Sequence, residues 1–151
     1  MPTYDERLAP PVWLWALVLV LDLTFGLSFL VALGPAAGVV VVAALGGLVG
    51  WLLVVSAARV RVEDGVLTAG RARIEVRHLG PVEVLDDEAA RAVRGPASDP
   101  AAYHLIRGWV PAGVRAPVRD PADPTPYWFV ASRHPEALAD AIEQAREGTP
   151  R

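Results

Sequence analysis

Residues 12–58 read VWLWALVLVLDLTFGLSFLVALGPAAGVVVVAALGGLVGWLLVVSAA, with a single charged residue, Asp22. A bilayer core of about 30 Å needs about 20 apolar helical residues. Val12–Leu33 supplies one such run and Ala36–Ala58 a second. Gly34-Pro35 between them is a natural helix breaker. The stretch therefore predicts a membrane α-helical hairpin of two transmembrane helices, 12–33 and 36–58, with both ends on one side. A cleaved signal peptide fits less well. Its apolar region would be too long, a second span follows at once, and the residues before it offer only Arg7 against Asp5 and Glu6.

Flanking cations set the expected orientation. Arg7 precedes the first span, Arg59 and Arg61 follow the second, and the Gly34-Pro35 turn has none. Residues 1–11 thus read as an N-terminal cytoplasmic segment, with both termini cytoplasmic and the protein multi-pass in the cell inner membrane. Trp13 and Trp15 suit an interfacial aromatic belt.

Asp22 falls in the middle of the first span, where an ionisable group costs at least about 2.5 kcal/mol and is a functional candidate by default. A fold-back centred near residue 34.5 sets Asp22 level with residue 47. Gly46 and Gly50 form a G-x-x-x-G, and Ala43 and Gly47 are a second small pair, spacings that let helix backbones approach closely. Asp22 is expected to sit protonated against the second helix, bonded to a backbone carbonyl. It reads first as a packing polar group, then as a contact in a homo-oligomer, and last as part of an ion or proton pathway.

The chain as a whole has 151 residues and a net charge of −3, enough for one or two small units. The apolar run argues strongly against a purely soluble protein. The negative charge and the lack of a basic cluster argue against a nucleic-acid partner. There is no Cys, hence no disulfide, thiol nucleophile or Cys-based zinc site. All 14 basic residues are Arg, and Lys and Asn are absent, which looks like the codon choice of a GC-rich bacterial genome.

Residues 59–148 predict a small α+β cytoplasmic domain, with 149–151 as a tail. Val60–Glu63 alternates, Asp64-Gly65 is a strong hairpin signal, and Val66–Ala69 pairs back. Arg71–Val76, Val82–Leu85, Tyr103–Val110, Val114–Val118 and Tyr127–Ala131 read as five more strands. Asp86–Arg94 reads as a short helix capped by Asp86 and stopped by Gly95-Pro96. Pro135 opens a last helix whose Leu138, Ala141, Ile142 and Ala145 form one apolar stripe and which Gly148 ends. Seven strands and a final helix is the element order of a pleckstrin-homology-like (PH-like) barrel. A two-span anchor followed by Arg-Val-x-Val-x-Asp-Gly-x-Leu also resembles the bacterial membrane-linked members of that fold, an analogy of architecture only.

Three blocks carry a closer resemblance. Tyr4-Asp5-Glu6-Arg7-Leu8, Arg61-Val62-Glu63-Asp64-Gly65 and Asp123-Pro-Thr-Pro-Tyr-Trp-Phe-Val-Ala-Ser-Arg-His-Pro-Glu136 are similar to the DUF3093 family of actinobacterial membrane proteins. The resemblance covers nearly the whole chain and the last block is its most specific part. That family has no established activity. The resemblance implies an inner-membrane protein and carries over no catalytic residue.

No phosphate loop, dinucleotide fingerprint, H-E-x-x-H or G-x-S-x-G occurs. No catalytic, metal or cofactor site is assigned. His78, His104 and His134 are scattered, and Asp86-Asp87-Glu88 suits a helix N-terminus. Arg71 and Arg73 share a strand face with Arg77 just beyond, a candidate contact with anionic lipid. Tyr127 and Trp128 point to opposite strand faces, so one is expected in the core and the other exposed. With Trp109 and the stiff loop around Pro124, they form a candidate partner surface.

The sequence thus predicts a membrane-anchored, non-enzymatic interaction module whose cytoplasmic domain binds a protein or the lipid bilayer surface. The alternative is a membrane-embedded activity or proton/ion handling centred on Asp22. A hydrolase using His78 or His104 is a third reading.

Overall fold

The computed structural model describes residues 3–95 and 98–148. Pro96, part of the expected helix stop, and the tail 149–151 lie outside the described residues. The chain divides into two compact units, a helical hairpin over Ala9–Ala57 and a sheet domain made of the residues up to Leu8 and those from Ala58 on.

The hairpin consists of α1 (Val12–Leu33) and α2 (Pro35–Ser56), each 22 residues and so about 33 Å long. Both are long and apolar enough to cross a membrane. Gly34 alone connects them, at φ 97° and ψ 173°, a conformation open essentially to glycine. Pro35 takes the first turn of α2, where its missing N–H is no loss. Each close contact between the helices sets one larger side chain on a glycine. A Cβ added at Gly46 would lie 2.5 Å from Asp22 Oδ2, one at Gly38 would lie 2.8 Å from Leu30 Cβ, and one at Gly26 would collide with Val42. Spacing by four on both helices is the pattern of ridges packing into grooves. The three pairs share a midpoint at residue 34, not 34.5, so Asp22 lies level with Gly46 and not Gly47.

In the sheet domain, the first sheet runs β1 (Tyr4–Leu8), β2 (Ala58–Glu63), β3 (Val66–Ala69) and β4 (Ala72–Glu75), in that order and antiparallel throughout. Asp64 and Gly65 both take positive φ, as a tight hairpin turn with the right twist requires. The strand β1 departs from the sequence reading, which set residues 1–11 apart from the domain. Leu8 pairs with Ala58 and Tyr4 with Val62, so the hairpin is an insertion between two neighbouring strands. Tyr4, Glu6 and Leu8 do alternate, but a carboxylate in the inward row disguises the pattern.

The second sheet holds β5 (Glu83–Leu85), β6 (Tyr103–Leu105), β7 (Gly113–Pro117) and β8 (Tyr127–Ala131), in the order β5-β7-β8-β6. The β8–β6 pair is parallel and the others are antiparallel. The strand expected over 103–110 stops at Leu105 because the chain turns at Arg107, whose carbonyl accepts from Val110 N at 2.9 Å. Among the described residues, eight strands in two four-stranded sheets thus stand where a seven-stranded barrel was expected. Outside the sheets, an isolated bridge pairs Leu79 with Val118.

Two helices complete the domain. α3 (Asp87–Arg94) is capped by Asp86, whose Oδ1 accepts from Ala89 N at 2.9 Å. α4 (Pro135–Glu147) buries Leu138, Ala139, Ala141 and Ile142 and packs against strands of both sheets. Its Arg146 donates to the carbonyls of Leu79 and Gly80 at 3.2 and 2.6 Å. Phe129, Leu8, Leu67, Leu138 and Ile142 are the largest fully buried side chains, and they join both sheets and α4 in one core.

Gly113 of β7 lies where a Cβ would fall 2.5 Å from the Val130 carbonyl oxygen of β8 and 3.0 Å from Ala131 Cα. Backbone cannot yield as a side-chain tip can. Gly113→Ala is expected to destabilise the domain by about 1–3 kcal/mol, whereas Gly108→Ala, at a site with open space, should stay within about 0.5 kcal/mol. Thermal unfolding of the two variants checks the contrast.

Candidate functional site

The buried polar groups of the sheet domain gather at one point. Glu6 sits in the inward row of β1 and is 9% exposed, and Ser132, just after β8, is fully buried. Glu6 Oε2 accepts from Tyr4 Oη at 2.6 Å and from Ser132 Oγ at 2.7 Å. Its Oε1 accepts from Arg133 N at 3.0 Å. Ser132 Oγ in turn accepts from His134 N at 3.0 Å and lies 2.9 Å from Tyr4 Oη. Three donors therefore meet one carboxylate, and they tie β1 to the junction of β8 and α4. Burial, and then the hydrogen bond to Glu6, push the Tyr4 hydroxyl well above the usual tyrosine range. The cluster has no sequence motif of its own. The available sign was that Glu6 and Ser132 each lie in a block carrying the family resemblance.

The candidate partner surface does not form. Tyr127 and Trp128 are both in the core, 6% and 5% exposed, against the expectation that one would face solvent. β8 lies between β7 and β6 and is buried on both faces. Trp128 stacks on Tyr103, with ring centroids 4.3 Å apart. The Arg115 guanidinium covers the Tyr127 ring at 4.6 Å, and the Tyr127 hydroxyl accepts from Asp99 N at 3.1 Å. Trp109 is half-buried, and its indole N–H donates to the Leu8 carbonyl at 3.3 Å. Pro124 alone of the four is exposed.

Within the hairpin, Asp22 is 9% exposed and packs on Gly46. Its Oδ1 is buried without a hydrogen-bond partner. Asp22 also borders a groove of about 400 Å³ with Val18, Leu21, Phe25, Leu45 and Val49. Of the small residues read as packing positions, Gly46 packs on Asp22 and a Cβ added at Gly50 would lie 3.7 Å from the Trp15 ring, while a Cβ at Gly47 would meet open space and Ala43 lines a second groove beside Gly26 and Gly38. Gly26 and Gly38 are helix contacts that the sequence reading passed over. They lie on the same four-residue spacing as Asp22 and Gly46.

Arg71, Arg73 and Arg77 are all exposed. Arg77 pairs with Glu75 at 2.8 Å. Asp5 is held below the usual carboxylate range by its hydrogen bonds from Arg59. His78 Nδ1 lies 3.6 Å from Asp120 Oδ2, and its Nε2 accepts from Arg77 Nε at 3.2 Å. His104 Nδ1 contacts the Ala102 carbonyl at 3.1 Å. The fully buried Ser132 hydroxyl is engaged by Glu6, Tyr4 and His134, whereas His104 Nε2 lies 3.4 Å from the Tyr127 hydroxyl. Among the described residues no group of three or more His, Asp or Glu could hold a metal ion.

A family described as a protein of unknown function (DUF3093) matches residues 3–142 of the chain. The match begins just before β1, runs through the hairpin and both sheets, and ends in α4. No curated protein and no solved structure matches the chain.

The raised Tyr4 hydroxyl makes stability depend on alkaline pH. The folded state keeps a proton that an unfolded tyrosine loses near pH 10. The contribution is therefore complete below about pH 10 and is lost as pH rises above it. Melting temperature should fall through that range, and Tyr4→Phe should flatten the fall without abolishing it, because burial also raises Tyr103. At neutral pH the same variant removes one donor from a buried carboxylate and should cost about 2 kcal/mol. Melting curves of both proteins from pH 8 upward measure the two effects.

Proposed function

The chain belongs to the DUF3093 family, and from that premise we propose that it is a non-enzymatic interaction module, anchored in an actinobacterial inner membrane by α1 and α2. Its sheet domain meets the lipid surface or a membrane-proximal protein. The observation that carries the reading is the insertion of the hairpin between the paired strands β1 and β2. Only Ala9-Pro10-Pro11 separates β1 from α1, and only Ala57 separates α2 from β2. At about 3.5 Å per residue the longer connection reaches roughly 10 Å. Both connections between the domain and the hairpin are therefore short. The apolar side chains along both helices support membrane insertion, since large residues such as Trp13, Val31, Val39 and Trp51 are all more than 60% exposed. In architecture we read the domain as a PH-like variant, two four-stranded sheets with a C-terminal helix, altered by the parallel edge strand β6.

The chain has no Cys, so single cysteines report topology cleanly. In intact cells a membrane-impermeant maleimide should label Ala36→Cys, at the hairpin turn, and should label Ala122→Cys, in an exposed domain loop, only after the cells are opened. Equal labelling of both in intact cells, or of neither, would overturn a two-span anchor with cytoplasmic termini.

A second reading rests on one observation, the buried and unpartnered Oδ1 of Asp22. An unsatisfied carboxyl group inside a membrane hairpin suits proton or ion handling. That reading expects Asp22→Asn to keep normal abundance in the membrane yet fail to complement a strain lacking the protein. Full complementation would discard it.

A further inference from the structure

We infer that the sheet domain binds anionic phospholipid headgroups through Arg7, Arg71 and Arg73, at the end of the first sheet from which the chain runs into the hairpin. The inference rests on the membrane reading above and names the ligand of the domain. It follows from the register of the sheet. On the outward face, the row nearest the hairpin holds Arg7 opposite Arg59, and the hydrogen bond from Gly70 N to the Arg59 carbonyl brings the Gly70–Arg71 turn alongside. The next outward row holds Asp5, Arg61, Thr68 and Arg73. The far row holds Glu63, Val66 and Glu75, with Asp64 in the turn beyond. Charge thus runs from positive to negative along the strands.

Pairing sharpens the gradient. Arg59 bonds to Asp5, Arg61 to Glu63 and Arg77 to Glu75, which cancels three cations against three anions. Among the described residues Arg7, Arg71 and Arg73 form no ion pair, and all three are exposed. Arg77, grouped with Arg71 and Arg73 in the sequence reading, drops out because Glu75 neutralises it beyond the far row, and Arg7 takes its place. Directly opposed cations such as Arg7 and Arg59 weaken a strand pair, and an anion at that end relieves the repulsion. A guanidinium offers a phosphate two parallel N–H donors. Finally, β1 and β4 are three strand spacings apart, about 14 Å. A single phosphate cannot bridge that width, but neighbouring headgroups in a surface can.

The test uses the full chain, solubilised in mild detergent and offered equimolar phosphatidylglycerol and phosphatidylcholine, with retained lipids counted by native mass spectrometry. The wild type should prefer phosphatidylglycerol. The preference should fall on the order of fivefold per arginine removed, through Arg7→Gln and then Arg71→Gln with Arg73→Gln, while Arg77→Gln keeps it. Melting temperatures establish that each variant is folded; if the triple variant is not, the Arg7→Gln single variant decides. Alkaline-carbonate washing of membranes is measured in parallel. A protein that stays in washed membranes yet shows no preference, or keeps it without the three arginines, overturns the lipid site and leaves the anchor standing. Displacement of phosphatidylglycerol by millimolar inorganic phosphate overturns it in favour of a free-phosphate site. Release into the carbonate wash defeats the membrane reading and the lipid site with it.

Discussion

Glu6 brings a carboxylate into the inward row of β1, and the rest of the domain is arranged around satisfying it. A carboxylate taken out of water loses several kcal/mol of hydration unless donors replace the solvent. Here the donors come from Tyr4 on the same strand and from Ser132 and Arg133 at the far end of the chain. Pairing with β2 alone would leave β1 an edge strand five residues long. The Glu6 cluster ties it to the start of α4, the helix that packs on both sheets. The hairpin depends on that tie in turn. With β1 docked, both legs of the hairpin are rooted in paired residues of one sheet, Leu8 and Ala58. With β1 released, α1 would hang from a loose end and the domain would be tethered by α2 alone.

The two buried carboxylates form a contrast. Glu6 has three donors. Asp22 has a glycine socket on one side and an oxygen without a partner on the other. Close approach of the helices is achieved by setting Asp22, Val42 and Leu30 on Gly46, Gly26 and Gly38, and this requires size complementarity but no hydrogen bond. Packing therefore accounts for the shape of Asp22 and for the glycine opposite it, and leaves its polarity unused.

Local periodicity was legible in the sequence and long-range pairing was not. The two apolar runs, the Asp64-Gly65 hairpin, the Asp86 cap and the stripe of α4 each depend on residues within a turn or two of one another, and each appears in the structure. The strand β1 depends on partners 50 or more residues away, across the hairpin. Its inward glutamate reads locally as a charged flank. Tyr127 and Trp128 failed for a related reason. Alternation shows that they face opposite sides of a strand, but only the strand order β7-β8-β6 and the packing of Tyr103 and Arg115 reveal that both sides are covered. For the basic residues the sequence showed Arg71 and Arg73, while Arg7 needed the register and Arg77 needed its ion pair with Glu75.

The same geometry gives a physical reason for two of the blocks on which the resemblance was read. Tyr4–Leu8 and Asp123–Glu136 stand at opposite ends of the chain, and neither contains a catalytic pattern. In the fold they supply Tyr4 and Glu6 on one side and Ser132, Arg133 and His134 on the other, meeting at a single buried cluster. The aromatic residues of the second block fill the core behind it. These blocks need no shared chemistry to account for them, because the need to close the domain around an inserted hairpin suffices. The first block also reaches the outward face of the first sheet, where Arg7 stands opposite Arg59 in the row next to Leu8 and Ala58.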